Sequence, residues 1–269
     1  MQVERFESEL WETASLLLVG EGESVAIDPG VSADEVAAID RRAHDLGAPV
    51  TYVLVTHADW DHVCGIAPFP DAVAAAGEAT AARVEIGEPG KTAARRAEEH
   101  GLSVALPPRI HRVLEVGRAH RVGPFVVETA PLVGHTPDGT AFRVRELDVL
   151  AVGDHLSSSE FPFASSTAHY RSTLAGLVEL LRNDPAALVV PGHGPALTGA
   201  EALANAVADL AYLRGLHIAV ASALAGSGTR ADARAAGLAV PLPRPAPDDL
   251  ARMHETNVES QLEELRPAD

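Results

Sequence analysis

The residues with the clearest chemistry are crowded into Thr56-His57-Ala58-Asp59-Trp60-Asp61-His62, where two imidazoles and two carboxylates fall within six positions. Three more groups of the same kind recur downstream, each at a turn after an apolar run. They are His135 in Gly134-His135-Thr136-Pro137, Asp154 in Val152-Gly153-Asp154, and His193 in Pro191-Gly192-His193-Gly194. Neutral imidazole and carboxylate are donors that zinc, iron and manganese accept, and seven such positions suffice for two metal ions. Gathered in one cleft, Asp59, Asp61 and Asp154 would repel one another or take up protons at considerable cost. Two divalent cations would compensate them, moving the formal charge from −17 to −13.

Such ligands need a rigid support. Val50–Val55, which the first cluster follows directly, is a continuous apolar and β-branched run of the kind found in strands buried on both faces. Residues 14–19 and 24–27, joined by Gly20-Glu21-Gly22-Glu23, predict a hairpin, and Asp28-Pro29-Gly30 ends its second strand. Ser32 or Ala33 to Leu46 predicts a helix, with Val36, Ile39, Ala43 and Leu46 at helical spacing, an acidic first turn and Gly47 at its end. Residues 77–101, rich in Ala, Glu and Arg, predict one or two surface helices closed by Pro107-Pro108. Strands are expected at 110–116, 125–129, 141–144, 149–152 and 188–190, with an amphipathic helix at 170–181 before the last of them. Beyond Gly199, Leu203, Val207, Leu210, Leu213, His217, Val220 and Leu224 predict one helical stripe. A second helix is expected at 250–265, across a Pro-rich linker at 241–247. There is no convincing repeat and no Gly-rich phosphate loop of the usual spacing.

The 269-residue chain carries 21 Lys+Arg against 38 Asp+Glu, a formal charge of −17, and 46% of its residues are hydrophobic. That hydrophobic content excludes disorder, and the length fits a single layered α/β domain. So acidic a surface repels phosphate backbones, so neither nucleic acid nor an anionic membrane is expected as a partner. The most apolar long stretch, 202–225, is interrupted by Asn205, Asp209, Arg214 and His217, which argues against a bilayer span. The single cysteine, Cys64, excludes an intramolecular disulfide framework. Residues 1–5 have neither a basic start nor an apolar run, so no signal peptide is expected and the chain reads as cytoplasmic.

In their order and spacing the seven ligand-type positions resemble the metallo-β-lactamase superfamily. Its motifs run H-x-H-x-D-H, then a Gly-His, then a bridging Asp after a strand, then a final Gly-His. The resemblance covers residues 14–195 and implies an α/β fold, the αββα metallo-β-lactamase sandwich, with loops of both sheets around one cleft. On this basis residues 1–198 form the catalytic domain and 199–269 a helical C-terminal extension packed on it. Carried over residue by residue, His57, Asp59 and His135 hold a first metal, Asp61, His62 and His193 a second, and Asp154 bridges them. Asp28-Pro29-Gly30 matches the family's Asp-x-Gly turn, whose carboxylate supports the metal loop. One departure stands out: Asp59 occupies the place of the family's second histidine, as an acidic residue does in its diiron flavoprotein branch. A carboxylate is shorter and anionic and favours a harder metal. Two zinc ions are the first expectation, with iron or manganese admitted by Asp59.

The chemistry implied is metal-assisted hydrolysis of a small ester, thioester or lactone, with Asp61 as the catalytic residue that orients an attacking hydroxide and moves its proton. Two other classes share the fold and the ligands: a non-haem iron oxidoreductase, persulfide dioxygenase-like or diiron, and a metal-binding module without turnover. The expected partner is a small-molecule substrate. The helical tail leaves a homodimer contact open, since 212–214 and 254–257 resemble extensions that cap the cleft or join two copies. Packing over apolar sheet surface is the plainer expectation for that tail. Of the remaining residues, His217 is expected as a satisfied core or interface histidine, and His44, His100, His111 and His120 at the surface. His155 is expected facing the cleft, Trp60 filling space under the ligand loop, and Cys64 acting as a small buried hydrophobe.

Overall fold

Side chains that alternate between two apolar faces build two sheets. In the computed structural model, which describes residues 1–100, 108–226, 228–245 and 251–266, the first sheet has six strands. They are β1 (Gln2–Glu7), β2 (Ala14–Gly20), β3 (Glu23–Ile27), β4 (Val50–Val55), β5 (Val73–Gly77) and β6 (Arg112–Leu114), side by side in that order. The second sheet is made of β7 (Ala119–Val122), β8 (Phe125–Pro131), β9 (Thr140–Val144), β10 (Val149–Ala151) and β11 (Leu188–Val190), ordered β11-β10-β9-β8-β7. Leu16, Leu18, Val25, Ile27 and Leu54 of the first sheet meet Phe125, Val127, Phe142, Val144, Val149 and Val190 of the second in a central core. Their chain neighbours Leu17, Ala26, Val53 and Val55 point to the opposite face and are covered by α1 (Ala33–Asp45) and α3 (Glu78–Ile86). On the other side Ala141, Leu150 and Val189 turn outward against α5 (Thr167–Asn183) and α6 (Gly199–Gly226). The period of two therefore produces the four layers of an αββα sandwich.

Strand direction decides where the turns gather. β3, β4, β5 and β6 run parallel, as do β10 and β11. β8 is antiparallel to β9 and β9 to β10, so β8 shares the direction of β10. The turns after β3, β4, β8, β10 and β11 each carry one or more of the residues singled out above. The β2–β3 hairpin closes through Glu21 and Gly22, both left-handed at φ 52° and 82°, as a two-residue turn of matching twist requires. At the start of α1, Glu35 accepts from the backbone N–H groups of Val31 and Ser32 while Ser32 accepts from that of Glu35, a reciprocal cap.

Several elements differ from the sequence expectation. Val73-Ala74-Ala75-Ala76-Gly77 is a strand buried between β4 and β6, although alanine favours helix, because its small side chains fit a closely covered position. Gly77 is thus the end of β5, and two helices follow it, α3 and α4 (Glu88–His100). β1 and β7 are edge strands with polar composition and carried no strand signal. The strand expected at 110–116 shortens to β6. α5 starts earlier than expected, at Thr167, where Ser166 caps it. α6 is long and apolar enough to cross a bilayer by length and composition alone, with mean hydropathy 1.3 in its most apolar window. Its buried face keeps Leu210, Leu213 and Val220 of the expected stripe, with Leu203 and Leu224 partly buried against it, but turns away from Val207. Ala202, Ala206, Leu210, Leu213, Leu216 and Val220 pack into the helical layer while Val207 is 43% exposed. α7 (Arg230–Leu238) and α8 (Ala251–Glu264) complete that layer. Gly101, Pro107, residues 246–247 of the linker and Leu250 at the expected start of the last helix lie outside the described residues.

The inward and outward assignments give a direct test. Phe142→Ala, in the central core, is expected to cost about 3–5 kcal/mol of unfolding free energy, whereas Val126→Ala, 41% exposed on β8, should stay within about 0.5 kcal/mol. Urea denaturation of both variants measures the difference, and similar losses would refute the facing of the two strands.

Candidate metal centre

The turn after β4 runs from Thr56 into α2 (Trp60–Val63), and in a few residues it places His57, Asp59, Asp61 and His62 at one end of the sandwich. The turns after β8, β10 and β11 bring His135, Asp154 and His193 to the same place. All seven residues predicted from sequence converge. Asp154 lies at the middle: its carboxylate oxygens are 3.1 Å from His62 Nε2, 3.1 Å from His135 Nε2, 3.3 Å from His193 Nε2 and 3.5 Å from His57 Nε2. On one side Asp59 Oδ2 is 3.4 Å from His135 Nε2 and 3.9 Å from His57 Nε2. On the other, Asp61 Oδ2 is 3.5 Å from His62 Nε2 and 3.4 Å from His193 Nε2. The same residues form three groups whose donor atoms lie within 4.8 Å of one another. At Gly192 the chain passes so close to this centre that a Cβ there would collide with Asp154 Oδ1.

Although these atoms are close, Nε2 of His57, His62 and His135 and Oδ1 of Asp154 are buried with no hydrogen-bond partner among the described residues. Their lone pairs aim at shared points rather than at each other. Four donors set tetrahedrally around a zinc ion at about 2.0–2.1 Å stand about 3.3–3.4 Å apart, and the separations here scatter about that value. The donor set fits a divalent metal.

Each imidazole is turned inward by a partner on its Nδ1 side, the usual way of fixing the orientation of a ligating ring. His62 Nδ1 donates to Asp28 Oδ2 at 2.9 Å, and Asp28 also accepts from Thr56 N at 2.8 Å and Thr56 Oγ1 at 2.6 Å. Asp28 thus plays the supporting part that its Asp-Pro-Gly turn implied, from a left-handed φ of 47°. Thr56 Oγ1 has given its hydrogen to Asp28 and accepts from His57 Nδ1 at 3.0 Å. His135 Nδ1 donates to the Phe163 carbonyl at 2.8 Å, and His193 Nδ1 to the Trp11 carbonyl at 3.0 Å.

Burial alone would push His62, His135 and His193 down, but the neighbouring carboxylates, Asp154 foremost, override it. His62 and His135 are held well above the usual imidazole range and His193 is raised to about 9. Asp154 is held well below the carboxylate range by those imidazoles, against its own burial. Without a metal the centre therefore retains protons in place of cations. The geometry also shows what lies outside it. His155 is buried with both ring nitrogens unpartnered, stacks at 4.4 Å on Tyr170 and is pushed down to about 3 by burial. It sits behind the ligands and does not line the cleft. His217 is half-buried and its Nδ1 has no partner among the described residues, so it is not a satisfied core histidine. His44, His100 and His111 are exposed and His120 is half-buried. The Cys64 thiol, pushed up to about 12 by burial, is inert.

A cavity of about 560 Å³ opens over the centre, with Asp59, Asp61, His135, Asp154 and His193 on its surface. Trp11, Trp60 and Arg96 line it from the β1–β2 turn, α2 and α4. Phe161, Phe163 and Met253 line it from the segment after β10 and from α8. Trp60 both fills space and forms wall, edge-on to Trp11 at 5.5 Å. The sequence pattern did not identify Tyr170, whose hydroxyl donates to the Asp154 carbonyl at 2.9 Å, as a support. It also missed Asp138, whose Oδ2 accepts from Ala58 N at 2.8 Å, and Arg83, which reaches both Asp138 and Asp59. Asp138 lies three residues after His135 in the same turn, the one local signal available; a helix-surface arginine has none.

Fold and centre together define a metal-dependent sandwich of hydrolase and oxidoreductase type. The chain belongs to the metallo-beta-lactamase superfamily, whose sequence profile matches residues 9–193. It is similar in structure to metallo-beta-lactamase family protein TTHA1429 from Thermus thermophilus, at 19% identity and a TM-score of 0.69, covering 98% of this chain and 92% of that one. It is also similar to ETHE1 from Myxococcus xanthus, at 20% identity and a TM-score of 0.58, with coverage of 78% and 85%. TTHA1623, solved in a di-iron-bound form, is 28% identical with a TM-score of 0.57 and coverage of 74% and 96%. No curated protein matches the chain in sequence.

Two outcomes follow from this geometry. Asp28→Ala should lower metal affinity about 10–100-fold by freeing His62, measured by competition with a chromogenic chelator; unchanged affinity would remove Asp28 from the support of the centre. In the metal-free chain the pKa values of His62, His135 and His193 lie above the ordinary 6.5, so the protonated forms of these three stabilise the fold. That contribution is complete below pH 6.5 and is lost as pH rises through about 9. The melting temperature of chelator-treated protein should fall across that window while that of metal-loaded protein does not, and a flat profile without metal would contradict it.

Proposed function

We propose that the chain is a two-metal hydrolase acting on a small ester, thioester or lactone, with Asp61 as its catalytic carboxylate. The observation that carries this reading is the set of buried, unpartnered Nε2 atoms of His57, His62 and His135 converging on Asp154 beneath an open cavity. His57, Asp59 and His135 would hold one ion, Asp61, His62 and His193 the other, and Asp154 both. Such ions, when bound, polarise a carbonyl oxygen and make water a nucleophile at neutral pH. Asp61 is buried and lines the cavity, so its carboxylate can orient the attacking water and accept its proton. Tyr170 holds the Asp154 main chain through its carbonyl, and Gly192 leaves room for its carboxylate. The indole and phenyl surfaces of Trp11, Trp60, Phe161 and Phe163 suit the apolar body of an acyl substrate and exclude water around it. The acidic charge of the chain favours a small molecule over nucleic acid.

Zinc is the metal we propose first. Asp59 supports a second reading, because it offers a hard anionic oxygen where the family pattern has an imidazole, and TTHA1623 was solved with two irons. With iron bound, the same centre would serve an oxidoreductase.

Metal content per chain, measured by plasma mass spectrometry on protein purified without chelators or affinity metals, separates the readings. Close to two zinc or manganese ions supports the hydrolase and directs screening to lactones, thioesters and esters, while dominant iron supports the oxidoreductase. Asp61→Ala and His193→Ala should each lower metal content and cut turnover by about 10²-fold or more with the fold retained. Full metal occupancy in both variants would overturn the assignment.

A further inference from the structure

We infer that Arg83 is a positioning residue for the metal centre, and that Asp59 and Arg83 together take the place of a neutral imidazole. The inference rests on Asp59 being a metal ligand, as proposed above. The two oxygens of Asp59 have different neighbours. Oδ2 faces His135 Nε2 at 3.4 Å and His57 Nε2 at 3.9 Å, whereas Oδ1 accepts a hydrogen bond from Arg83 Nη2 at 3.1 Å. The guanidinium therefore occupies one oxygen and leaves the other for an ion, so that Asp59 offers one donor atom in a fixed direction, as a histidine would.

The other arm of the guanidinium shows that this is a built contact. Arg83 Nη1 donates to Oδ1 of Asp138, a carboxylate only 3% exposed, and Asp138 Oδ2 accepts from the N–H of Ala58 at 2.8 Å, one residue before Asp59. Thr80, one turn earlier on α3, donates to the Asp138 carbonyl at 2.7 Å. The fork of Arg83 thus ties α3, the turn carrying His135 and the turn carrying Asp59 into one unit. A planar guanidinium can grip two carboxylates in this way, while an ammonium supplies the charge without the fixed geometry.

Charge gives the second line of argument. Asp59, Asp61 and Asp154 bring three negative charges, and the one positive charge of Arg83 is shared between Asp59 and Asp138. The acid that stands in place of an imidazole is therefore offset in part from α3.

The test is a double-mutant cycle on zinc affinity in the full chain, read by chelator competition and by metal per chain, using Asp59→His, Arg83→Gln and the double variant. Glutamine can still donate to Asp138 but carries no charge. Each single variant should weaken one of the two zinc ions about 10–100-fold, the first by leaving Arg83 tied to Asp138 alone with one arm of its guanidinium facing the ions, the second by releasing Asp59. The double variant should bind more tightly than either. If the two effects simply multiply, or if Arg83→Gln lowers the melting temperature without changing zinc affinity, Arg83 is only a structural prop and the inference fails. Should Arg83→Gln not fold, Arg83→Lys reads the same bridge: about a tenfold loss of affinity is expected, and none overturns the inference. A wild-type chain that takes up no zinc, iron or manganese would instead overturn the metal centre itself, whereas a loaded wild type with an additive cycle overturns only the part assigned to Arg83.

Discussion

A buried carboxylate surrounded by four imidazoles is the constraint to which the rest of this molecule answers. Asp154 has the Nε2 atoms of His57, His62, His135 and His193 within 3.5 Å of its oxygens, at the floor of the cavity and too crowded for ordinary pairing. Charges so placed are costly unless compensated and held in good geometry. Compensation comes from cations or, failing them, from protons. Geometry comes from acceptors on the far side of each ring: the carboxylate of Asp28, the hydroxyl of Thr56 and the carbonyls of Phe163 and Trp11. Two of these four acceptors are main-chain groups, so the orientation of the rings is coupled to backbone that the core already fixes.

The sandwich makes such a centre possible because strands of both sheets end at the same edge. The first sheet supplies the turn from Thr56 to His62, and the second supplies His135, Asp154 and His193, so that neither sheet alone holds a complete set. Their relative placement must then be secured close to the centre as well as through the apolar core. Thr140 N donates to the Thr56 carbonyl at 2.8 Å, Asp138 reaches Ala58, and Ala14 N donates to the Gly192 carbonyl at 2.7 Å. These cross-sheet bonds join the turns themselves, so slippage between the sheets would break hydrogen bonds next to the ligands before it disturbed the core.

What the sequence reveals and what it hides follow from the range of the interactions. The seven candidate residues were legible because each is a distinctive residue type in a turn directly after an apolar run, a local pattern. Strands β2, β3, β4, β8 and β9 were legible for the same reason. β5 was not, because its alanines carry little strand propensity and are placed in a strand by the layers that cover them. The partners of Arg83 lie 24 and 55 positions away and the ion pair of Arg244 with Asp209 spans 35, and no local pattern marks such distances. The buried face of α6 was legible only in part, with Leu210, Leu213 and Val220 as expected but Ala202, Ala206 and Leu216 completing it instead of Val207 and His217, since nearly every residue there is apolar and only tertiary contact selects among them. His155 illustrates the same limit from the other side. Adjacent to Asp154 in sequence, it is turned behind the ligands, because chain neighbours at a tight turn face different ways.

The three C-terminal helices reach further than the sheet surface they cover. Asn257 on α8 accepts from Ala164 N at 2.8 Å and donates to the Pro162 carbonyl at 2.6 Å, and Arg244, paired to Asp209 at 2.5 Å, donates to the Glu160 carbonyl. The segment so gripped carries Phe161 and Phe163, which line the cavity. The residue between the two backbone groups held by Asn257 is Phe163, and its carbonyl is the acceptor that turns His135 toward Asp154. Asn257 is itself bonded to Tyr212 on α6 at 3.0 Å, and Tyr212 to His254 at 2.8 Å, so the grip belongs to a buried network rather than to a single side chain. A layer that sequence alone casts as a cover over apolar strands therefore fixes one wall of the cavity and, through a single peptide group, the aim of one ligand.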